Sequence, residues 1–328
     1  MLCFFAGIDV GIYTKGRLRY FTSMLPTIAE SVSRNMQQVW MKYGPETEAP
    51  LAPETVTIEI TTRCNLSCVM CPHGIEGGMP IKTDAPDVLV QSILDSIDIV
   101  KEIHPTGVGE PLMAQGFWKI IDAMGGRKEP SIAFHTNGIL LTQRNVERLL
   151  KTSLSRVNVS VDAATEMTYR RVRGADMRKT IDGISRLAKG MVEKSGSNIP
   201  NISMSMVLMR ETVEEAPDFV ELAHSLGVRF VYFEHLTEPQ FKKDHWVVER
   251  GNFLFNYKEQ ELFDDAEYSD VHIIKALDKA DELGVVIEGY EVLLSPGNKH
   301  HDRRPCRDGS LLQFYTAQAP GMDVQIID

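Results

Sequence analysis

An α/β fold built on a parallel sheet, wound as a partial (β/α)6 barrel, is what this sequence predicts. Three observations point there. Strand-like and helix-like segments alternate from Val56 to Glu288, as βαβ crossovers require. The repeat runs to about six units, which suits an open barrel better than a closed eight-fold one. The loops that follow the strands carry the residue types able to do chemistry, and parallel α/β folds bind ligands at that end.

The elements follow in order. Met24–Met41 has Leu25, Ile28, Val32, Met36 and Val39 roughly on one helical face, so residues 1–53 read as an N-terminal helical extension or cap. Glu48–Pro53 (EAPLAP) holds two prolines and reads as a linker. Residues 54–290 form the barrel. Its strands are expected at Val56–Thr61, Ile99–His104, Ser131–Thr136, Arg156–Val161, Ile202–Leu208, Val228–Phe233 and Val285–Glu288. Helices are expected at Asp87–Ile97, Gly116–Met124, Arg144–Lys151, Met177–Glu193, Glu214–Leu226 and Val271–Leu283. Residues 239–269, rich in aromatics and charges, interrupt the rhythm and read as a loop insertion or lid. Residues 291–328 form a short C-terminal tail.

Composition narrows the classes. Of 328 residues, 43 % are apolar and 24 % charged, which is ordinary globular usage and excludes disordered, collagen-like and coiled-coil readings. The net charge of −10 repels phosphate backbones on average, so no nucleic-acid partner is expected. No apolar run approaches the roughly 20 residues that span a bilayer. The opening MLCFFAGIDVGIY has no basic n-region and carries Asp9, so it reads poorly as a signal peptide. There are five cysteines, and Cys64, Cys68 and Cys71 fall within eight residues. Clustered thiols suit a metal in a reducing, cytoplasmic setting rather than a disulfide framework.

Those three thiols carry the chemistry. The loop after the first barrel strand runs Thr61-Thr62-Arg63-Cys64-Asn65-Leu66-Ser67-Cys68-Val69-Met70-Cys71-Pro72-His73, with spacing C-x3-C-x2-C. Thiolates are soft ligands that select zinc or iron–sulfur centres. Three of them can hold three corners of a cubane and leave the fourth metal open. A structural zinc with His73 as fourth ligand, in a non-catalytic interaction module, is the rival. Coincidence would give this spacing about once in 10³ such sequences.

Here the sequence resembles the radical S-adenosylmethionine (radical SAM) family, whose motif is three cysteines at this spacing after the first strand of a partial (β/α)6 barrel. The resemblance implies a [4Fe–4S] cluster held by Cys64, Cys68 and Cys71. It implies S-adenosyl-L-methionine (SAM) bound through its amino and carboxylate groups to the open iron, and reductive cleavage to a 5′-deoxyadenosyl radical. Met70 stands where the family usually has a hydrophobic or aromatic residue near the adenine.

Further motifs follow in family order over residues 55–235. Gly107-Val108-Gly109-Glu110-Pro111 is similar to the family's GGEP motif, with Val108 a departure; backbone groups there and Glu110 would hold the SAM ammonium. Thr136-Asn137-Gly138 is similar to the TNG turn, and Asn-Gly is also an ordinary turn signal. Ser160-Val161-Asp162 is similar to an S-x-D segment in which Ser160 would bond SAM, while Asp162 could instead cap the next helix. In Tyr169-Arg170-Arg171-Val172-Arg173-Gly174, Arg173 is the first candidate to pair with the SAM carboxylate and Arg171 the next. A solvated basic helix face is the plain alternative. Met206 or Leu208 could pack on adenine or belong to the core.

The tail, Arg304-Pro305-Cys306-Arg307, resembles the start of the family's SPASM and twitch auxiliary-cluster domains, without the downstream cysteines. It reads as a shortened or truncated relative, or as one with a free thiol. Family epimerases return hydrogen from such a thiol, and Cys306 is the candidate donor; an incidental cysteine is the plain reading. The resemblance implies a peptide or sugar-like small-molecule substrate, modified by epimerisation, dehydrogenation or cross-linking, and a reducing partner such as flavodoxin or ferredoxin. Trp246, Phe253, Phe255 and Tyr257 could stack on a sugar or pack the lid.

Overall fold

The computed structural model describes residues 55–75, 78, 82–196, 201–236, 246–289 and 292–295, and the backbone of 2–4, 11–14 and 17–20. The Met24–Met41 helix, the Glu48–Pro53 linker and Cys306 lie outside these residues.

Three short strands come first: β1 (Leu2–Phe4), β2 (Gly11–Thr14) and β3 (Arg17–Tyr20). Then β4 (Thr55–Glu59), α1 (Asp87–Asp95), β5 (Glu102–Thr106), α2 (Gln115–Ala123), β6 (Ser131–Thr136) and α3 (Gln143–Leu149) alternate. The series continues through β7 (Leu154–Ser160), α4 (Glu166–Arg173), α5 (Met177–Ser195), β8 (Ile202–Leu208), α6 (Ala216–Ser225) and β9 (Phe230–His235). A hairpin of β10 (Val247–Arg250) and β11 (Phe253–Asn256), the short α7 (Tyr257–Gln260), α8 (Ala266–Leu283) and β12 (Val286–Glu288) complete it. The main sheet has the order β1-β4-β5-β6-β7-β8-β9-β12, and every neighbouring pair is parallel. This is the expected α/β partial barrel. Leu2–Phe4 runs beside β4 within that sheet, so the reading of a separate cap does not extend to these three residues.

Strand alternation decides which face each side chain takes. Ile58, Ile103, Phe134, Val157, Met204 and Phe233 are fully buried against the helices, where they meet residues such as Phe117, Ile184 and Phe219. Each such side chain stabilises the fold by about 1.5–3 kcal/mol. The opposite face is different. Thr57, Glu102, His104, Arg156, Tyr232, Glu234 and Glu288 alternate with that core and are only half-buried. Arg156 on β7 reaches Glu288 on β12 at 2.6 Å although β8 and β9 lie between them. Three strand spacings amount to about 14 Å along a sheet, so the sheet curls and this face lines a concave, polar lumen.

Several boundaries differ from expectation. The second barrel strand lies at 102–106 rather than 99–104, because Pro105 is tolerated inside it: β5 pairs with β6 only at Glu102 and Ile103, short of the proline. The expected insertion holds a two-residue hairpin with Gly251-Asn252 at its turn, and α8 begins at Ala266, five residues early. Residues 166–173, read as a motif with a basic helix face as the alternative, form helix α4, capped by Thr165 Oγ1 accepting from Thr168 N.

Candidate functional site

At the carboxyl ends of β4 to β8 the loops are stitched to one another. Gly109 N donates to Thr61 O at 3.2 Å and Glu110 N to Arg63 O at 2.8 Å, which ties the β5 loop to the cysteine loop. Gly109 is required by this close approach, since a Cβ there would lie 2.5 Å from both Thr61 O and Arg63 O. Arg63 itself turns to Asp84, with Nη2 at 2.6 Å from Oδ2.

The three cysteines are free thiols; Cys68 is buried and Cys64 and Cys71 are half-buried. Cys64 Sγ receives Leu66 N at 3.5 Å and Asn137 Nδ2 at 3.8 Å. Burial pushes the Cys68 thiol up to about 11 and that of Cys71 up to about 12, and the sulfurs reinforce one another electrostatically. Three thiolates therefore gather here only around a centre that supplies positive charge. Among the described residues no three His, Cys, Asp or Glu side chains are close enough to share one ion. A cubane does not demand that, because it offers each sulfur its own iron.

Glu110 is buried and its carboxylate already has three donors: Thr136 Oγ1 at 2.8 Å, Leu112 N at 3.2 Å and Asn137 N at 2.7 Å. Burial pushes it up to about 7, against the pull of these bonds. These bonds join the β5 and β6 loops, and since a carboxylate offers about four acceptor sites, Oε2 keeps capacity for one further donor. Asn137 is more than a turn residue: Nδ2 donates to Asn65 Oδ1 at 2.7 Å beside Cys64, and Oδ1 accepts from Ile139 N at 3.1 Å.

Asp162 stands in the left-handed region at φ 63°, a conformation that Asp tolerates better than most residues. It does not cap α4, a task Thr165 performs. Its Oδ1 accepts from Val207 N at 2.9 Å and its Oδ2 from Arg173 Nη1 at 2.8 Å. Arg173 Nη2 donates to Ser160 O at 3.0 Å. Arg173 Nε is buried and has no hydrogen-bond partner among the described residues. Burial opposes the charge of Arg173, but Cys68 and Asp162 outweigh it and hold the arginine protonated. Arg171 points away, to Glu211 at 3.0 Å. Ser160 is half-buried on the lumen face, 3.4 Å from Ser205 Oγ.

Burial decides between the alternatives at two places. Met206 and Leu208 are fully buried on the helix side of β8, so they are core, and the half-buried Val207 between them takes the opposite face and packs on a second apolar cluster. Trp246, Phe255 and Tyr257 are buried in that second cluster with Val69 and Val172, and half-buried Met70 packs on it, so these three rings are not free to stack on a sugar. Phe253 is half-buried, its ring 5.9 Å from the Arg171 guanidinium. Sequence reading missed Asn65 and Arg250. Only Arg250 had a signal: a Gly-Asn pair flanked by alternating apolar residues marks a hairpin.

Residues 58–223, just over half of the chain, match the Radical SAM superfamily, and the protein belongs to that family. A GTP 3′,8-cyclase of Petrotoga mobilis is 30 % identical over 209 residues, 60 % of this chain and 60 % of its own. One of Alkaliphilus oremlandii is 32 % identical over 208 residues, 58 % and 59 % of the two chains. This chain thus spans about three fifths of the length of those relatives. Streptococcus suis SuiB bound to S-adenosylmethionine superposes with TM-score 0.55 at 13 % identity, over 82 % of this chain and 57 % of SuiB. Native anSMEcpe with bound AdoMet gives 0.52 at 17 % identity, over 72 % and 64 %. These two share the fold. Family membership brings a [4Fe–4S] cluster and SAM and displaces the zinc-module rival. The residues present fit that pair: soft free thiols on one loop, and a buried guanidinium with an unused donor beside them. No described helix is long and apolar enough to cross a membrane.

Proposed function

We propose that Cys64, Cys68 and Cys71 hold the [4Fe–4S] cluster, that Gly109, Asn137, Ser160 and Arg173 surround SAM with Met70 at its adenine edge, and that a polar substrate enters the lumen below. The observation that carries this reading is the meeting of Cys64, Asn137 and the buried Asp162–Arg173 pair at one end of the barrel. When bound, cluster and SAM supply one-electron reductive cleavage of SAM and hydrogen-atom abstraction from an unactivated carbon. The chain's own part is positional. Arg173 Nε, a donor with no partner among the described residues, suits an anion such as the SAM carboxylate, and Asp162 holds the guanidinium through Nη1. Carbonyl groups of the 107–109 loop accept from the ammonium, and Glu110 and Asn137 keep that loop in register with the thiols.

The lumen supports a neutral or cationic, hydrogen-bonding substrate, such as a peptide or sugar-like molecule, over a nucleoside triphosphate. On the described inner wall Arg156 is taken by Glu288, and Glu102 takes His104 at 2.7 Å. Burial and the nearby Asp162 push Glu234 up to about 6, which leaves it mostly ionised at neutral pH and hostile to phosphate. SuiB and anSMEcpe are described with bound peptides. Anaerobic reconstitution followed by dithionite and SAM tests the core reading: the wild-type chain forms 5′-deoxyadenosine, and Cys68→Ala holds no cluster and forms none. A wild-type chain that binds zinc and is inert to dithionite and SAM overturns it. For the substrate class, Glu234→Gln keeps SAM cleavage without substrate, and GTP binds neither form.

A further inference from the structure

The hairpin β10–β11 was expected to be a lid, yet its contacts lead to the cysteine loop. Three backbone groups around Cys68 are held from outside that loop. Trp246 Nε1 donates to Val69 O at 2.8 Å, Val69 N donates to Val172 O at 2.9 Å, and Arg250 Nη2 donates to Ser67 O. Arg250 Nη1 also donates to Arg171 O at 2.7 Å and Val172 O at 3.1 Å. Those are carbonyls of the last turn of α4, which have no partner within the helix and attract a cation. The next residue, Gly174 at φ 74°, lies so close beneath the guanidinium that a Cβ would come within 2.8 Å of Arg250 Cζ. One side chain therefore joins the residue before Cys68 to the two residues before Arg173. The planar fork suits this, because it reaches several acceptors at once in fixed directions.

We infer that Arg250 is a positioning residue: it holds Cys68 and Arg173 in register before any cluster binds, so that the hairpin is a clamp on the cluster loop. The assignment to a cluster rests on the function proposed above; the clamp itself is a property of the empty chain. The test follows from that separation. Amide hydrogen exchange is measured on the full chain before reconstitution, and iron content and the EPR signal of the reduced cluster, with and without SAM, are measured after it.

In Arg250→Ala the Val69 amide exchanges about tenfold faster or more, as expected when a local anchor is lost. Iron per chain falls, and the SAM-induced change in the EPR signal weakens. Arg250→Lys, with charge but no fork, lies between. Trp246→Phe keeps the packing, loses one donor and moves the same way by less. Arg229→Ala serves as control, since it removes an arginine–carbonyl contact to Gly284 O at 2.8 Å elsewhere in the barrel and should leave Val69 unchanged. Unchanged exchange at Val69 in Arg250→Ala overturns the inference, as does equal acceleration in Arg229→Ala. If the wild-type chain takes up no iron, the cluster assignment fails while the exchange result still decides the clamp.

Discussion

Arg173 and Asp162 meet at 2.8 Å, Nη1 to Oδ2, with side chains only 9 % and 3 % exposed. Eleven residues apart in the chain, they close the β7 loop onto the end of α4 and fix where the unused Nε of the arginine points. Removing one charge leaves the other buried and unpaired, which typically costs about 3–5 kcal/mol.

Asp162→Asn should therefore lose about 3 kcal/mol in urea unfolding of the empty chain, since Asn tolerates the left-handed backbone but cannot neutralise the arginine. Asp162→Ala should lose about 1 kcal/mol more, because the φ of 63° then also strains the backbone. A loss below about 1 kcal/mol in both variants would mean that the pair is not a net structural element.

Gly109→Ala is expected to fold yet bind cluster poorly. Its new methyl must displace Thr61 O and Arg63 O, the carbonyls that join the β5 loop to the cysteine loop. Iron per chain after reconstitution should fall to about half or less, while the unfolding midpoint changes little, as befits a loop position. Wild-type iron content would count against the stitched-loop account.

His135, on the lumen side of β6, is held neutral: burial, then the charge of His104, lowers it from 6.5 to about 4. The unfolded chain takes up a proton there at a higher pH than the folded one. Its stabilising contribution is thus fully present above pH 6.5 and is lost as pH falls toward 4. Denaturation midpoints across that range should fall less steeply in His135→Asn than in the wild type. Parallel slopes would show that this side chain is not the acid-sensitive group.

Cys306 lies outside the described residues, and its proposed role as hydrogen donor is tested directly. Cys306→Ala should abolish substrate-derived product and leave 5′-deoxyadenosine formation intact. Full product formation, or loss of SAM cleavage, removes it from that role.

Much of the fold was legible because local patterns and tertiary demands agreed. Ser131–Thr136 and Ile202–Leu208 form strands at the expected residues, and the cysteine spacing sits after the expected strand. The face of each strand was harder to read. On β8 a one-residue change of parity separates the two faces, and methionine and leucine look the same on either side, so Met206 and Leu208 stayed open between an adenine contact and the core until the fold placed them in the core. Charged groups were ambiguous for another reason. Glu110 and Asp162 carry ligand-like chemistry, but their donors, Asn137 N and Arg173, come from distant segments that only the folded chain brings near. The role of the hairpin was hidden in the same way, because Arg250 acts on carbonyls, and any sequence supplies those.

The polar inner face of this barrel has an evolutionary consequence. Its folding free energy resides in the outer shell, where Ile58 and Phe134 allow little alteration. Point changes along the concave wall, at Thr57 for instance, remove less buried apolar surface than changes in that shell. Descendants of such a chain can thus exchange one substrate for another while the radical-generating end stays as it is.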